Sequence, residues 1–388
     1  MRIHFMGIEG SGMKGVATLT EKMGYGVAGC DLATSGHDEK HLEGMDLLVV
    51  SPSVFYQNAN HPEVLEAKKR KILVTWQEFL GKTLLKDKKI ICIAGTHGKS
   101  TTTAMAGKLL IDNGFDPIVV VGAYVPEWKG NSRFGNGEYA VVEADEFNDN
   151  FLNYEPEIAV INNIEFDHPD YFKNEGEVRK SFEKFIGKLK GKKILITEKD
   201  SLNKKFKLKI PGVHNQKNAN MVFLLGRALG IDDAKIITSL EGFTGIERRM
   251  ELISNKEGIE IYDDYAHHPT AIAATLAALR ESHPKARIWA VVEPHGFART
   301  NALLPNYNGV FKDADKVIIG PIFKARDSET FGMTPEKIAE ASEHTDIRGA
   351  ESLERIKKIV SEEIKRGDVI IVMGAGESNI WAQKLFGN

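Results

Sequence analysis

Cysteine is almost absent: Cys30 and Cys92 are the only two among 388 residues. Two are too few for a disulfide framework and lack the spacing of metal ligands, so each reads as a small buried hydrophobe at the end or in the interior of a strand. No uninterrupted apolar run approaches the roughly 20 residues that a membrane span needs. The chain begins Met1-Arg2-Ile3-His4-Phe5 and enters a strand directly, without a charged leader and apolar core. Neither a membrane span nor a signal peptide is therefore expected, and a cytoplasmic enzyme is. Charge of one sign is also lacking. The formal net charge of -3 gives no sequence-wide attraction to nucleic acid or anionic lipid, so phosphate would be met at a local site. Internal repeats and low-complexity tracts are missing, and 42% hydrophobic with 27% charged residues excludes fibrous and disordered classes. A chain of this length should hold two or three domains, each with its own core.

What is present is organised around Lys89 to Gly107. An apolar β-branched run ends in Gly95-Thr96-His97-Gly98-Lys99-Ser100-Thr101, and small helix-forming residues follow. Strand, glycine turn and helix are the context of a phosphate-binding loop. The glycines let backbone N–H groups turn inward, Lys99 can reach β/γ-phosphates, and Ser100 can hold Mg²⁺. Ile93 stands where the full G-x-x-x-x-G-K-[ST] pattern has its first glycine, so the shorter G-T-x-G-K-[ST]-T remains. Downstream, the strand Tyr139 to Val142 runs into Glu143-Ala144-Asp145-Glu146, acids placed to hold Mg²⁺ directly or through water. The strand Ile158 to Ile161 leads to Asn162-Asn163-Ile164-Glu165-Phe166-Asp167-His168-Pro169-Asp170, where His168 is a candidate ligand. Asn215 and Asn218, three apart at the start of a helix, can face one side as an adenine-reading pair would, though Asn215 is equally a helix cap.

On the N-terminal side, Gly7-Ile8-Glu9-Gly10-Ser11-Gly12 follows the first strand and opens a helix, so a pyrophosphate could approach closely. The spacing is G-x-x-G-x-G, not G-x-G-x-x-G. Asp31 follows the second strand, where such folds place an acid facing a ribose, and Ser51 and Ser53 lie at the third strand's C-terminal edge. A plain βα turn and a serine-proline turn are the competing readings. Gly81 to Lys88 reads as a polar connection and sets the first domain boundary; Gly242 to Gly245 sets the second. Beyond it, Gly245 to Glu251 carries Arg248 and Arg249, a possible clamp on phosphate oxygens. Asp263-Asp264-Tyr265-Ala266-His267-His268-Pro269 ends a strand, and Pro294-His295-Gly296-Phe297-Ala298-Arg299-Thr300 lies on a loop at the same edge. The expected fold is α/β, with three domains (1–84, 85–243 and 244–388), each a mostly parallel sheet with flanking helices: Rossmann-like, P-loop ATPase-like and Rossmann-like.

Eight motifs in order, GTHGKSTT, EADE, NNIEFDHPD, HNQKNAN, GIERRME, DDYAHHPT, PHGFART and GAGE, resemble the Mur ligase family over nearly the whole chain. The resemblance implies ATP-dependent activation of the carboxylate of UDP-N-acetylmuramate as an acyl phosphate and its joining to an amine. His4 to Met13 and Glu143 to Leu152 are similar to the branch that uses L-alanine. Asp263 to Arg280 and Asn162 to Asp170 resemble the branch that uses the L-alanyl-γ-D-glutamyl-diaminopimelate tripeptide. It further implies Gly95 to Thr101, Asn215, Asn218, Arg248 and Asp264 on ATP, and Lys99, Glu143, His168 and Arg248 in catalysis. Ser100, Glu143 and His168 would hold Mg²⁺, and Gly10, Ser11, Gly12, Met13, Asp31, Ser51 and Ser53 the UDP substrate. His267, His268, His295 and Arg299 fall to the amino-acid side, with domain closure completing the site. A monomer or weak homodimer without nucleic-acid partners is expected. The chain departs from the pattern by being short between Asp31 and Asp46 and between Lys199 and Pro211. Two other readings stand: an NAD-dependent oxidoreductase, on Gly7 to Gly12 and Asp31, and a non-catalytic nucleotide-binding regulator.

Overall fold

In the computed structural model, residues 1–32, 34–58 and 60–386 are described, with the side chains of Ser11, Tyr56, Gln57 and Phe386 left out. The first four strands, β1 (Arg2–Met6), β2 (Gly26–Cys30), β3 (Leu47–Val50) and β4 (Leu73–Thr75), pair in parallel in the order β2-β1-β3-β4. The register sets Met6 beside both Cys30 and Val50. The segments that follow these three strands, Gly7–Gly12, Asp31 and Ser51, therefore leave the sheet at one edge.

Six more strands form the second sheet: β5 (Lys89–Ala94), β6 (Ile118–Val125), β7 (Gly130–Arg133), β8 (Tyr139–Glu143), β9 (Ile158–Ile161) and β10 (Ile194–Thr197). Their order is β10-β9-β5-β8-β6-β7, parallel except for the β6–β7 pair. β5 lies between β8 and β9, so the turn after it is flanked by the acids after β8 and the asparagines after β9. The third sheet comprises β11 (Glu251–Lys256), β12 (Ile259–Asp264), β13 (Ile288–Val292), β14 (Lys316–Ile319), β15 (Ile347–Gly349) and β16 (Val369–Met373), in the order β11-β12-β16-β13-β14-β15 with β11 antiparallel. Ile288, Ala290 and Val292 of β13 enter one core, with Trp289 and Val291 in another. Alternate side chains on two covered faces explain why these strands read as unbroken apolar runs.

The chain divides into two compact units: Met1–Glu165 with Glu175–Leu208 and Gln216–Phe243, and Phe166–Asn174 with Lys209–Asn215 and Thr244–Asn388. The first unit thus contains two sheets. Its N-terminal helix, Ser11–Lys22, is tied to β7, where Ser132 Oγ donates to the Gly15 carbonyl at 2.8 Å. Within the stretch read as a polar connection, Gly81 to Lys88, Leu84 and Leu85 are buried, and a Cβ on Gly81 would press on the Asn153 carbonyl at 2.5 Å. Among the described residues between Asp31 and Asp46 the only helical element is a short turn, Glu39–Leu42. Among the described residues, no helix is long and apolar enough to cross a membrane.

Candidate active site

The loop after β5 is a tight glycine turn. Gly98 (φ +79) precedes the helix Lys99–Asp112, and a Cβ there would collide with Asn218 Oδ1 and lie 2.9 Å from Asn162 Nδ2. Only glycine tolerates both the left-handed backbone and that approach. The asparagines after β9 brace the loop: the His97 N–H donates to Asn163 Oδ1 at 2.8 Å, and Asn162 Nδ2 donates to Thr102 Oγ1 at 2.9 Å. The Glu165 N–H adds a bond to Thr96 Oγ1 at 2.9 Å. Part of the polar cluster read from the sequence therefore acts as scaffold.

Lys99 is folded over this loop. Its Nζ donates to the Gly95 carbonyl at 2.7 Å and to Glu146 Oε2 at 2.7 Å, with Asp145 Oδ1 at 3.6 Å. Burial alone lowers the pKa of the ammonium, but Glu146, Asp145 and Glu143 outweigh it, so Lys99 stays charged. Glu143 sits at the end of β8 and is clipped from two sides, by Ser100 Oγ at 2.9 Å and the Gly122 N–H at 2.6 Å. Burial raises its pKa against the pull of Gly122, Lys99 and Ser100. Glu146 Oε1 and Asn162 Oδ1 are buried with no hydrogen-bond partner among the described residues. The Ser100 hydroxyl and the Glu143 carboxylate, 2.9 Å apart and near a fixed ammonium, are oxygen donors of the kind that suit Mg²⁺, which takes one or two carboxylates together with phosphate oxygens.

The second unit carries a further group of polar residues singled out from the sequence. Arg299 donates from Nε and Nη2 to the two Asp167 oxygens at 2.7 and 2.8 Å. His168 (φ +55) follows, its N–H on Asp167 Oδ1 at 2.7 Å. His268 caps the helix Pro269–Ser282 through Thr270 N–H at 3.2 Å. The His267 and His295 rings lie 5.5 Å apart. Burial, then Arg299, depress both imidazoles, His267 well below its ordinary range and His295 to about 4, so both are neutral.

Other groups are already engaged inside their own unit. Arg248 binds Asp263 at 3.0 Å, the Gly374 carbonyl at 2.9 Å and Ser378 Oγ at 2.7 Å. Asp264 accepts from the Met250 and Ala266 N–H groups at 2.8 and 2.7 Å. Asn215 Nδ2 donates to the Pro211 carbonyl at 2.7 Å, a local helix-start bond, while Asn218 belongs to the first unit beside Gly98. The glycine turn Gly374–Gly376 does not offer its N–H groups to a ligand, because the buried Glu293 carboxylate accepts from Gly376, Glu377 and Ser378 at 2.9, 2.8 and 3.2 Å.

At the first sheet's edge, Asp31 Oδ2 accepts from the Glu9 N–H at 3.2 Å, and Ser53 Oγ donates to Ser51 Oγ at 2.8 Å. Gly10 and Gly12 lie on the turn into the first helix, with Trp76 packed near Gly12 and Met13 buried. The Ser11 side chain lies outside the described residues.

Breaking the Asp167–Arg299 fork has a defined cost. With Arg299→Ala the carboxylate is left buried and unpaired, and stability falls by about 3–5 kcal/mol. Burial alone would raise the Asp167 pKa, but Arg299 and the nearby histidines hold it well below its usual value. A depressed carboxylate stabilises above its unfolded pKa and loses this only as pH drops through the folded one. Without Arg299 burial raises the Asp167 pKa, so urea unfolding should show the full deficit for the variant at pH 7 and a smaller one at pH 5, where the stray carboxylate takes up a proton; no deficit at pH 7 would contradict this pairing.

Three family models match in sequence: "Mur ligase family, catalytic domain" over residues 2–88, "Mur ligase middle domain" over 93–209 and "Mur ligase, glutamate ligase domain" over 248–376. The chain is similar to the UDP-N-acetylmuramate–L-alanine ligase of Caldicellulosiruptor bescii, 34% identical over 97% of this chain and 96% of that protein. It is also similar to that of Desulfitobacterium hafniense, 33% identical over 97% of each. Among solved structures, the UDP-N-acetylmuramate-alanine ligase of Thermotoga maritima superposes with a TM-score of 0.81 at 25% identity, over 99% of this chain and 98% of that one. A murein peptide ligase from Psychrobacter arcticus gives 0.70 at 24%, over 100% and 99%.

Proposed function

The chain belongs to the Mur ligase family, and from that premise we propose that it joins the lactyl carboxylate of UDP-N-acetylmuramate to the amine of L-alanine at the expense of ATP. The observation that carries this reading is the convergence of Lys99, Ser100, Glu143 and Glu146 on one braced loop. The γ-phosphoryl passes to the carboxylate oxygen and ADP leaves. The amine nitrogen then adds to the carbonyl carbon, and phosphate departs as the amide forms. Lys99 places a permanent positive charge where the transferred phosphoryl group needs it. Ser100 and Glu143 would hold Mg²⁺, which when bound supplies charge neutralisation on the phosphate oxygens. His168 is proposed as a further metal ligand, and Asn215, Asn218, Arg248 and Asp264 as contacts for ATP.

On the amine side, His267, His268, His295 and Arg299 are the proposed residues. A neutral imidazole titrating near 4, as His295 does, is a poor proton acceptor at neutral pH but a good hydrogen-bond acceptor for an ammonium group. Gly10, Gly12, Met13, Asp31, Ser51 and Ser53 are proposed for the UDP substrate, with the Ser11 backbone among them. The trimmed segment after Asp31 leaves this edge to a small set of groups.

The decisive experiment is ADP release measured with UDP-N-acetylmuramate and, in turn, L-alanine, glycine, L-serine and the tripeptide. Release that needs both UDP-N-acetylmuramate and L-alanine supports the proposal. Release with the tripeptide alone would move the chain to the recycling branch, and none with any acceptor would make it a nucleotide-binding regulator.

A further inference from the structure

The first sheet holds a second cluster of chemistry-bearing residues that the proposed ligase reaction does not use. His4 on β1, Cys30 at the end of β2, His41 on the turn Glu39–Leu42 and Glu63 in the first turn of the helix Pro62–Arg70 come together from four separate segments. One ligand atom from each lies within 4.8 Å of all the others. His4 Nε2 is 3.1 Å from Cys30 Sγ and 3.9 Å from Glu63 Oε1, Cys30 Sγ is 3.5 Å from that oxygen, and His41 Nδ1 is 2.8 Å from it. Bonds of 2.0–2.3 Å to a tetrahedral ion put neighbouring ligand atoms about 3.3–3.8 Å apart. The spacings straddle that range.

Burial makes the cluster costly unless a cation joins it. Glu63 is 0% exposed, Cys30 1% and His4 3%. The ion-pair partners of Glu63 among the described residues are His4, His37 and His41, with no lysine or arginine. Besides these imidazoles the Asp38 N–H donates to Glu63 Oε1 at 3.1 Å, so the fully buried carboxylate has no lysine or arginine to offset its desolvation. From sequence, Cys30 reads as a small buried hydrophobe; it is buried in the core of this face, and its sulfur also faces His4, His37 and Glu63, whereas Cys92 is enclosed within β5.

We propose that His4, Cys30, His41 and Glu63 form a structural site for a zinc-class divalent cation. The mixed nitrogen, thiolate and carboxylate set suits such an ion and not Mg²⁺ or Ca²⁺. On binding, the Cys30 thiol gives its proton to solvent and the sulfur bonds the ion, with no change of oxidation state. All four positions are occupied by protein, which marks a closed structural site. The apolar core on this side of the sheet is small, built from Met6, Cys30, Leu42, Leu48, Val50, Val64 and Ala67. An ion tying β1, β2, the shortened connection and the helix would supply cohesion that this small core lacks. It would also fix the Cys30 carbonyl, which accepts from the Gly7 and Ile8 N–H groups at 2.8 and 3.2 Å and so shapes the glycine turn.

The test uses the full chain. After incubation with Zn²⁺ and gel filtration, elemental analysis should find one retained equivalent, and the thermal midpoint should rise by about 5 °C or more over chelator-treated protein. With Co²⁺ in place of Zn²⁺, a thiolate-to-cobalt charge-transfer band should appear, vanish in Cys30→Ser and persist in Cys92→Ser. Because only a sulfur ligand produces that band, metal bound at the loop of Lys99 does not mimic it. Folded wild-type protein that retains no ion, or a cobalt band that survives Cys30→Ser, would overturn the proposal. Cys30→Ser is near-isosteric, and the wild-type retention and midpoint measurements stand even if that variant folds poorly.

Discussion

Lys99→Ala is expected to reduce ADP release by about a thousandfold or more, the scale on which a cation serving a transferred phosphoryl group acts. Binding of UDP-N-acetylmuramate, measured by calorimetry, should stay within about threefold of wild type, since the residues proposed for it sit on the other sheet of the first unit. The substitution has a second consequence that must be separated from the first. Lys99 is the ammonium partner of Glu146, which is 1% exposed. Its removal leaves a buried carboxylate unpaired, at about 3–5 kcal/mol. Loss of turnover in the single variant therefore mixes chemistry with destabilisation. In Lys99→Ala/Glu146→Gln the stray charge is gone, so the thermal midpoint should recover while turnover stays lost. A double variant that regains turnover would show that Lys99 serves the fold and not the phosphoryl group.

Much of this arrangement is legible in the sequence because local chemistry dictates it. A β-branched run, glycines with positive φ and a run of small helix formers leave few alternatives for residues 89–107, and the parallel strands declare themselves by unbroken apolar stretches. Partnerships made across the sheet are not legible. The Gly122 N–H on Glu143 depends on β6 lying beside β8, and nothing in the spacing of residues 122 and 143 announces it. The same holds for Glu146 on Lys99, and for Asn162 and Asn163 as braces rather than ligands. Glycine turns are ambiguous on sequence grounds alone: the one at Gly95 is covered by the charged Lys99, whereas the one at Gly374 is filled by Glu293, a residue 83 positions away from its first partner. The His4–Cys30–His41–Glu63 cluster is the extreme case, since its members share no motif and meet only through the order β2-β1-β3-β4.

Glu143→Gln should separate stability from activity in opposite directions. The side chain keeps its shape, its carbonyl can still accept from the Gly122 N–H, and its amide can donate to Ser100 Oγ once that hydroxyl turns round. Burial raises the Glu143 pKa, so the folded state favours the neutral carboxyl more than the unfolded chain does. A group with a raised folded pKa contributes its stability at low pH and loses it as pH climbs through that value, so at neutral pH the charge is a net burden on the fold. Replacing it with a neutral amide should leave the thermal midpoint at or above wild type. Turnover should nevertheless fall by a factor on the order of a hundred to a thousand, with a higher Mg²⁺ concentration needed for half-maximal rate, because a carboxylate's negative charge is what a hard cation requires. Glu143→Ala removes acceptor and charge together, leaves the Gly122 N–H without its bond, and should lose both stability and turnover. If Glu143→Gln unfolds as readily as the alanine variant, the carboxylate is primarily a clip between β8, the loop and Gly122. If it turns over normally, the charge at the end of β8 plays no part in phosphoryl transfer, and the donor set for Mg²⁺ must be sought among other residues.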